Sequence, residues 1–442
     1  MIAATVQSSD APIGDLQTAQ RKVTRRLLPG LMALYIIAFI DRVNLGYAKH
    51  DFLRDAHFSE AVYAFGAGVF FIGYALFEVP SNMAMVRVGA RRWFCRIMVS
   101  WGLVSAAMVF ADTARVFYSL RFLLGAAEAG FFPGVIFYLT RWYPAKRRGA
   151  AMGLFYFGVP LAQIGGGPLS GWLLELDGTR GLAGWQWMFV VEGLMAVVAG
   201  ILVLRYLPDR PADARWLTRP EQQALEDAAR ATASTSPIRH AWTEFRSRRM
   251  VMFGATYLLI QASVYGVTFY LPTQVALLLG RKAGLVVGLV SAIPWLAALA
   301  AAYTLPRLAA RVGHGARVGA AALMFAAAGI AFSANASGPI GLAAMCIATA
   351  GFIGCQPIFW TYPTSVLTAA NAAAGIALIN SCGAIGGFIA PNLRAFLERH
   401  FASEHAGVAG LASLSVVAAL LFWWFDRLRR NDDAEPSSER DR

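Results

Sequence analysis

Long apolar runs recur throughout this sequence and constrain its fold more than any other feature. Between residues 27 and 426, apolar stretches are separated by short polar gaps, and a helix of roughly 20 apolar residues crosses the hydrocarbon core of a bilayer. Only 15% of the residues are charged and 57% are hydrophobic, whereas soluble domains carry about a quarter charged residues. The sequence therefore predicts an all-α membrane protein.

Run length and flanking charge predict twelve transmembrane spans. Their limits are residues 27–47, 60–84, 95–112, 115–140, 149–174, 184–207, 249–272, 282–305, 316–334, 338–360, 371–396 and 406–426. We expect two six-helix halves around a central cavity. The predicted domains are a cytoplasmic N-terminal segment (1–26), a first bundle (27–207), a cytoplasmic linker (208–248), a second bundle (249–427) and a cytoplasmic tail (428–442).

Basic residues cluster in alternate gaps, which is the pattern that sets orientation in a membrane. The clusters are Arg21–Arg26, Arg87–Arg96, Arg141–Arg148, Arg307–Arg317 and Arg427–Arg430. This pattern predicts a multi-pass protein of the inner cell membrane with both termini in the cytoplasm. It also accounts for the net charge of +13 without a nucleic-acid partner. The first 20 residues contain no apolar core of a cleavable signal peptide.

A short repeat relates the two predicted halves. Gly165–Pro168 is followed by Glu175, and Gly386–Pro391 is followed by Glu398, with the same interval between proline and glutamate. Both copies lie at the predicted outer end of the fifth span of a half. Two structural repeats around a central site are common among transporters.

The sequence offers no pattern for a cofactor, a metal site or an enzyme. The four cysteines lie in or beside apolar runs, and no two form a CxxC pair. HExxH, GxSxG and P-loop patterns are absent from the sequence. A membrane-embedded enzyme or sensor is therefore a remote alternative.

Among the charged residues within the predicted spans, five stand out as candidate functional residues. They are Asp41, Arg42, Glu78, Arg121 and Glu128. A charge inside a membrane costs roughly 3 kcal/mol on insertion scales, so each invites a functional hypothesis. The fork of an arginine matches a carboxylate, and a carboxylate in a partly wet cavity can exchange a proton near physiological pH.

Helical geometry limits how these charges can be arranged. Arg121 and Glu128 are seven residues apart and share one helix face, roughly 10 Å from each other, whereas Asp41 and Arg42 point about 100° apart. The alternative is that they form permanent ion pairs between helices. For Glu78 both interpretations stay open. In the functional one, its carboxylate would pair with an arginine of a loop and hold a gate closed.

Uncharged polar residues form a second, weaker set of candidates. Each of them is more often a hydrogen-bonding partner between packed helices than a ligand contact. The residues that we expect to contact a substrate are Tyr74, Gln163, Trp360, Tyr362 and Asn380.

Several motifs together resemble the major facilitator superfamily, and more narrowly its anion:cation symporter branch of phthalate, tartrate and sugar-acid permeases. The likeness runs from about Arg25 to Arg427. It rests on Ile40-Asp-Arg-Val-Asn-Leu45, Tyr74-Ala-Leu-Phe-Glu-Val-Pro-Ser-Asn82, Arg87-Val-Gly-Ala-Arg-Arg-Trp93, Arg121-Phe-Leu-Leu-Gly-Ala-Ala-Glu-Ala-Gly-Phe-Phe-Pro-Gly134 and Gly375-Ile-Ala-Leu-Ile-Asn-Ser381. One departure is the loop 306–317, which lacks the aspartate usual in the superfamily's repeated loop motif.

The resemblance implies a proton-coupled symporter that imports a small organic carboxylate by alternating access. Arg42 would bind the substrate carboxylate together with Arg121, while Asp41 and Glu128 would serve proton coupling. Tartrate-like, sugar and aromatic acids are all compatible substrates. We expect a monomer. An organic-anion exchanger or a drug or metabolite exporter of the same fold is the alternative, favoured by the glycine–proline pattern at 158–168.

Overall fold

The computed structural model describes residues 13–230, 247–367 and 372–425, and all regular structure in these ranges is helical. The predicted tail 428–442, residues 231–246 of the predicted linker and the first twelve residues lie outside the described residues. The α-helices are Ile13–Arg26, Leu28–Asp55, Glu60–Val88, Ala90–Ala106, Ala114–Glu128, Phe131–Thr140, Ala145–Tyr156, Gly158–Leu174, Gly184–Tyr206, Arg219–Arg230, Arg248–Thr268, Leu271–Leu279, Leu285–Val312, Gly315–Ser333, Gly338–Val366, Ala372–His400 and Glu404–Trp423. Three 3₁₀ turns occupy Ala107–Phe110, Thr179–Gly181 and Pro211–Asp213.

Ten helical segments of the described chain are long and apolar enough to cross a membrane. They are Gly14–Asp55, Glu60–Val88, Ala90–Phe110, Ala114–Thr140, Gly184–Tyr206, Arg248–Leu279, Leu285–Val312, Gly315–Ser333, Gly338–Val366 and Glu404–Trp423. The helices Gly158–Leu174 and Ala372–His400 correspond to the remaining predicted spans, the fifth and the eleventh. The fold is thus the predicted all-α membrane fold, and the spans keep their predicted numbers, 1 to 12, below.

Span 4 is broken rather than continuous. Its first helix ends at Glu128 and its second begins at Phe131. Gly130 between them has φ +86, a left-handed conformation that glycine adopts at little cost, and a Cβ there would overlap the Ser81 side chain of span 2. Pro133 is tolerated because it falls in the first turn of the new helix. The break places Glu128 at a helix end. Span 5 is interrupted in a similar way at Phe157, and span 7 at 269–270.

The chain has two large hydrophobic cores. Spans 1–6 supply most of the first, which has Trp101 and Trp142 among its largest buried side chains and extends to Tyr265–Tyr270 of span 7 and Ala384 of span 11. Spans 7–12 supply the second, around Trp295. The described part of the predicted linker packs on the first half, because Lys22 Nζ lies 2.7 Å from Glu221 Oε1. Burial alone would raise the pKa of Glu221, but hydrogen bonds from Lys22 and Thr218 hold it below its ordinary value.

The halves touch each other at the ends of the spans that lie opposite the basic clusters. Gly167 of span 5 meets Gly288 of span 8 backbone to backbone, and a Cβ on either residue would overlap its neighbour. Glu175, the glutamate of the sequence repeat, accepts a 2.9 Å hydrogen bond from the Leu285 amide at the start of span 8. The molecule is therefore closed at this end.

The packing of spans 2 and 4 predicts different costs for two glycine substitutions. A Cβ at Gly125 would overlap the Phe70 carbonyl oxygen, whereas a Cβ at Gly165 would have no atom within 4 Å from the described chain beyond its own helix turn. We expect Gly125→Ala to destabilise the protein by about 1–3 kcal/mol, as overpacking does. Gly165→Ala serves as the matched control and should be neutral or stabilising. Thermal unfolding in detergent measures both, and equal melting temperatures would contradict the packing described.

Candidate functional site

A cavity of about 970 Å³ lies between the two halves. It is lined by spans 1, 2, 4, 5, 7, 8, 10 and 11, through residues from the middle of these spans towards the ends that are nearer to the basic clusters. Tyr35 and Glu128 line its buried part, while Arg307, Thr361 and Thr364 are exposed at its mouth. The cavity therefore opens at the end of the molecule opposite the closed glycine contacts.

The wall of the cavity is mainly aromatic, with a few polar groups. Its aromatic side chains are Tyr35, Phe39, Phe71, Tyr74, Phe131, Phe132, Tyr156, Phe157, Tyr257, Tyr265, Tyr303 and Trp360. The polar side chains in its lining include Arg42, Glu128, Gln261, Gln356 and Asn380. Apolar walls with a small number of placed polar groups are typical of small-molecule sites.

Arg42 of span 1 is the central charge of the site. It forms an ion pair with Glu128 of span 4, and its Nη1 donates a 3.0 Å hydrogen bond to the Tyr265 hydroxyl of span 7. Its guanidinium carbon lies 4.9 Å from the ring centroid of Phe39 and 5.4 Å from that of Tyr74. One side chain thus joins both halves at the cavity wall, and its Nε has no hydrogen-bond partner among the described residues.

Arg121 lies outside the cavity lining. It is fully buried, its Nε donates to the Gly66 carbonyl at 3.1 Å, and its terminal nitrogens have no hydrogen-bond partner within the described part of the chain. Both arginines contact the Phe70 ring, whose centroid lies 5.0 Å from the guanidinium carbon of Arg121 and 5.4 Å from that of Arg42. In this conformation Arg42 lines the cavity and Arg121 does not.

Glu78 of span 2 bridges the halves and has partners on span 11. Its two carboxylate oxygens accept hydrogen bonds from Asn380 Nδ2 at 3.1 Å and from Ser381 Oγ at 3.0 Å. Asn380 lines the cavity, so Glu78 also fixes the orientation of a cavity residue. The carboxylate contacts span 11 instead of the loop arginine that the latch hypothesis invoked, and its gating role stays a prediction.

The other predicted site residues divide between the cavity and the packed interior. Tyr74 and Trp360 line the cavity, whereas Gln163 and Tyr362 are buried outside its lining. Tyr362 packs against Phe422, 5.8 Å between ring centroids. Asp41 points away from the cavity and accepts hydrogen bonds from Ser105 of span 3 and from Asn44 at 3.2 Å.

Glu192 of span 6 is a fully buried carboxylate that is not among the predicted site residues. Ser170 of span 5 donates a 2.7 Å hydrogen bond to its Oε1. The sequence could have identified it, because Glu192, like Asp41, is a charged residue inside a predicted span. Among the described residues, no group of three or more His, Cys, Asp or Glu side chains is arranged to hold a metal ion.

Comparison with known proteins identifies the family. The family model of the Major Facilitator Superfamily matches residues 31–391. The inner membrane transport protein RhmT of Escherichia coli (strain K12) is 44% identical over 92% of this chain and 95% of its own. A putative tartrate transporter of Agrobacterium vitis is 42% identical over 91% and 90%, and a quinolone resistance transporter of Acinetobacter baumannii is 38% identical over 91% and 93%.

A solved structure supports the fold independently. The bacterial homologue of the human lysosomal transporter Spinster, in an inward-facing and occupied conformation, superimposes with a TM-score of 0.71 at 15% identity, over 92% of this chain and 97% of the other. The chain belongs to the Major Facilitator Superfamily and is a membrane transporter of small molecules.

The Glu78 bridge predicts a measurable coupling between spans 2 and 11. Glu78→Ala and Asn380→Ala each remove one side of the bond, so their effects on the free energy of unfolding should be coupled by about 0.5–3 kcal/mol. Asn392→Ala is a matched control, because Asn392 bonds to the Phe388 carbonyl of its own helix. Equilibrium unfolding in mixed micelles, measured for the wild type, the two single variants and the double variant, gives this coupling energy. Additive effects of Glu78→Ala and Asn380→Ala would contradict the bridge.

Proposed function

We propose that this transporter imports a small organic carboxylate together with a proton, as a monomer working by alternating access. The observation that carries this proposal is the ion pair of Arg42 and Glu128 in the wall of the cavity. It provides a cation for the substrate and a carboxylate for the proton in direct contact with each other.

Three features of Arg42 support an anionic substrate. Its side chain is held by Glu128 and Tyr265, its Nε has no partner among the described residues, and aromatic rings surround it. A guanidinium fork binds a carboxylate through two parallel hydrogen bonds, and an aromatic surrounding strengthens that attraction by excluding water. The relative named as a putative tartrate transporter fits this chemistry. Sugar acids and aromatic acids fit the same cation.

The rest of the substrate would contact the polar and aromatic side chains that share the cavity with Arg42. Tyr74, Trp360 and Asn380 line it in this conformation. The substrate contacts of Arg121, Gln163 and Tyr362 stay predictions, since these side chains lie outside the present lining.

Coupling to the proton follows from competition for one guanidinium. A substrate carboxylate that binds Arg42 displaces Glu128, which then lies buried without its counter-charge. Leaving an isolated carboxylate in a low-dielectric site is costly, so the displaced Glu128 takes up a proton. Anion and proton therefore bind together and reduce the net charge that the cavity must hold during the conformational change.

The positions of the cavity mouth and of the basic clusters support an orientation. The mouth lies at the end of the molecule that carries these clusters, which the positive-inside pattern assigns to the cytoplasm. The structure would thus represent an inward-open state of an inner-membrane protein with both termini in the cytoplasm.

Export of a larger, less polar compound is the second candidate. The cavity of about 970 Å³ is wide for a four-carbon diacid and mainly aromatic, and one relative is named a quinolone resistance transporter. An exporter would extrude its compound in exchange for protons, whereas the importer accumulates its acid with them.

The symport proposal predicts accumulation that depends on a pH gradient. Proteoliposomes with an alkaline interior should accumulate labelled tartrate, and Glu128→Gln should abolish accumulation while counterflow at equal pH continues. Glu404→Gln, a change at an exposed glutamate at the start of span 12, is the matched control. Undiminished accumulation by Glu128→Gln would refute the coupling role of Glu128.

The role of Arg42 predicts a loss of binding rather than a loss of folding. Arg42→Ala should weaken tartrate binding at least tenfold, because a charge-assisted hydrogen bond contributes about 1.5–3 kcal/mol and a factor of ten is about 1.4 kcal/mol. Arg42→Lys should restore it only in part, since lysine lacks the planar fork. Arg96→Ala, outside the cavity, should bind normally. Wild-type affinity in Arg42→Ala, measured by calorimetry, would remove Arg42 from the site.

A further inference from the structure

A second cavity, which we call the side groove, adjoins the substrate cavity where spans 1, 5 and 8 meet. Its volume is about 680 Å³. Leu154, Phe157 and Tyr303 line both spaces, so the two are neighbours. Spans 1 and 5 belong to the first half and span 8 to the second. The side groove therefore lies on the boundary between the halves.

The lining of the side groove is almost entirely apolar and runs in strips along the helices. Leu154 and Leu161 of span 5 are seven residues apart, as are Leu296 and Tyr303 of span 8, and residues at this spacing lie on one helix face about 10 Å apart. The hydroxyl of Thr24, which also lines the groove, already donates a 2.9 Å hydrogen bond within its own helix. Apolar strips of this length fit a hydrocarbon chain better than a polar solute.

The side groove faces the bilayer. Its lining residues on spans 1 and 8 belong to helical segments that are long and apolar enough to cross a membrane. Leu296 in its wall is 52% exposed, although it is a leucine within such a segment. The solvent around such a segment is lipid, whose tails are as apolar as leucine. The available occupant of matching chemistry is therefore an acyl chain of a membrane lipid.

Two cations lie at the end of the side groove that is nearer to the basic clusters. Arg307 has its guanidinium carbon 3.4 Å from the centroid of the Tyr303 ring and donates a 2.6 Å hydrogen bond to the Tyr303 carbonyl. Arg25 directly follows Thr24. Both arginines are exposed, and neither forms an ion pair with another described residue. Arginines without a carboxylate beside an apolar groove complement the phosphate of an anionic lipid.

The side groove begins where spans 5 and 8 separate. At the closed end these spans touch at Gly167 and Gly288, whereas nearer to the basic clusters Leu161 and Leu299 line the groove from the two spans. A chain in the groove would therefore lie between the halves. It would favour the conformation with an open cavity mouth, because bringing spans 5 and 8 together at this end would expel it.

We propose that the side groove is a binding site for an anionic phospholipid, with one acyl chain between spans 1, 5 and 8 and the phosphate at Arg307 and Arg25. The bound chain holds spans 5 and 8 apart and stabilises the conformation described here. This site depends neither on the identity of the transported solute nor on coupling to protons.

Photo-crosslinking in nanodiscs tests the site in the full-length protein without a transported solute. The probe is phosphatidylglycerol with a photoreactive diazirine in the middle of one acyl chain, present as a minor component in phosphatidylcholine. Peptide mass spectrometry should find adducts concentrated on the groove residues Leu296 and Ala300 rather than on Ala328, which is exposed on span 9. Added unlabelled phosphatidylglycerol should reduce these adducts more than added phosphatidylcholine does.

Variants separate the acyl chain from the headgroup. Ala300→Trp fills the groove and should abolish adducts at Leu296, whereas its matched control Ala328→Trp should keep them. Arg307→Gln should reduce labelling about fivefold, which is the attraction of one basic residue near an anionic membrane surface. Arg311→Gln changes an exposed arginine one turn further along span 8 and should label as the wild type. If Ala300→Trp does not fold, Leu296→Trp replaces it, with loss of adducts at Ala300 as the expected result.

Two outcomes of the labelling would overturn the site. One is an even spread of adducts over the lipid-facing surfaces of spans 8 and 9. The other is competition by phosphatidylcholine that equals competition by phosphatidylglycerol.

Hydrogen–deuterium exchange tests the effect of the lipid on conformation. The Leu285 amide bonds to Glu175 at the closed end, so phosphatidylglycerol in the nanodiscs should slow exchange of the wild-type peptide that contains Leu285. In Ala300→Trp the exchange should be the same with and without phosphatidylglycerol. Wild-type exchange that ignores this lipid, or an equal response in Ala300→Trp, would overturn the stabilising role. The symport proposal is tested separately, because it fails only if tartrate accumulation ignores the pH gradient.

Discussion

The ion pair of Arg42 and Glu128 is the interaction on which the site depends. A buried charge is costly in a membrane, and breaking such a pair leaves an uncompensated charge behind. Arg42 is held on span 1 but reaches span 4 through Glu128 and span 7 through Tyr265, so both halves position it. The break at Gly130 allows Glu128 to stand at a helix end that faces Arg42. A ligand that competes for Arg42 therefore acts on contacts in both halves.

The closed end of the molecule is built differently from the open end. Glycines allow spans 5 and 8 to touch backbone to backbone, and charged side chains lie around Tyr270 of span 7. Lys49 Nζ and the guanidinium carbon of Arg394 lie 4.4 and 3.7 Å from the centroid of its ring. Close packing and cation–π contacts of this kind hold two surfaces together and can separate when the halves rock.

The sequence predicts the class of fold, but it does not predict where the transmembrane helices are broken. Apolar run length predicts where helices cross a bilayer, and the ten apolar segments agree with ten of the predicted spans. The break in span 4 was missed because it depends on the left-handed conformation of Gly130 against Ser81, a tertiary contact that hydropathy does not register. The division into domains at 208–248 stays a prediction.

Charged residues within the predicted spans indicated the candidate site, but only the fold shows which of these charges are paired. Arg42 and Glu128 are 86 positions apart in sequence and in contact in space. Arg121 and Glu128 lie on one helix, yet Glu128 lines the cavity and Arg121 does not. Glu192 was missed although it carries the same signal as Asp41. Which side of a helix faces water cannot be read from periodicity when nearly every face is apolar.

In the proposed mechanism, a substrate carboxylate and Glu128 compete for Arg42, so that anion binding brings a proton with it. Calorimetric titration of tartrate into the purified protein, repeated in buffers of different ionisation enthalpy, counts the protons taken up on binding. We predict net uptake of a proton in the wild type and none in Glu128→Gln. A binding enthalpy for wild-type protein that is the same in every buffer would contradict the claim.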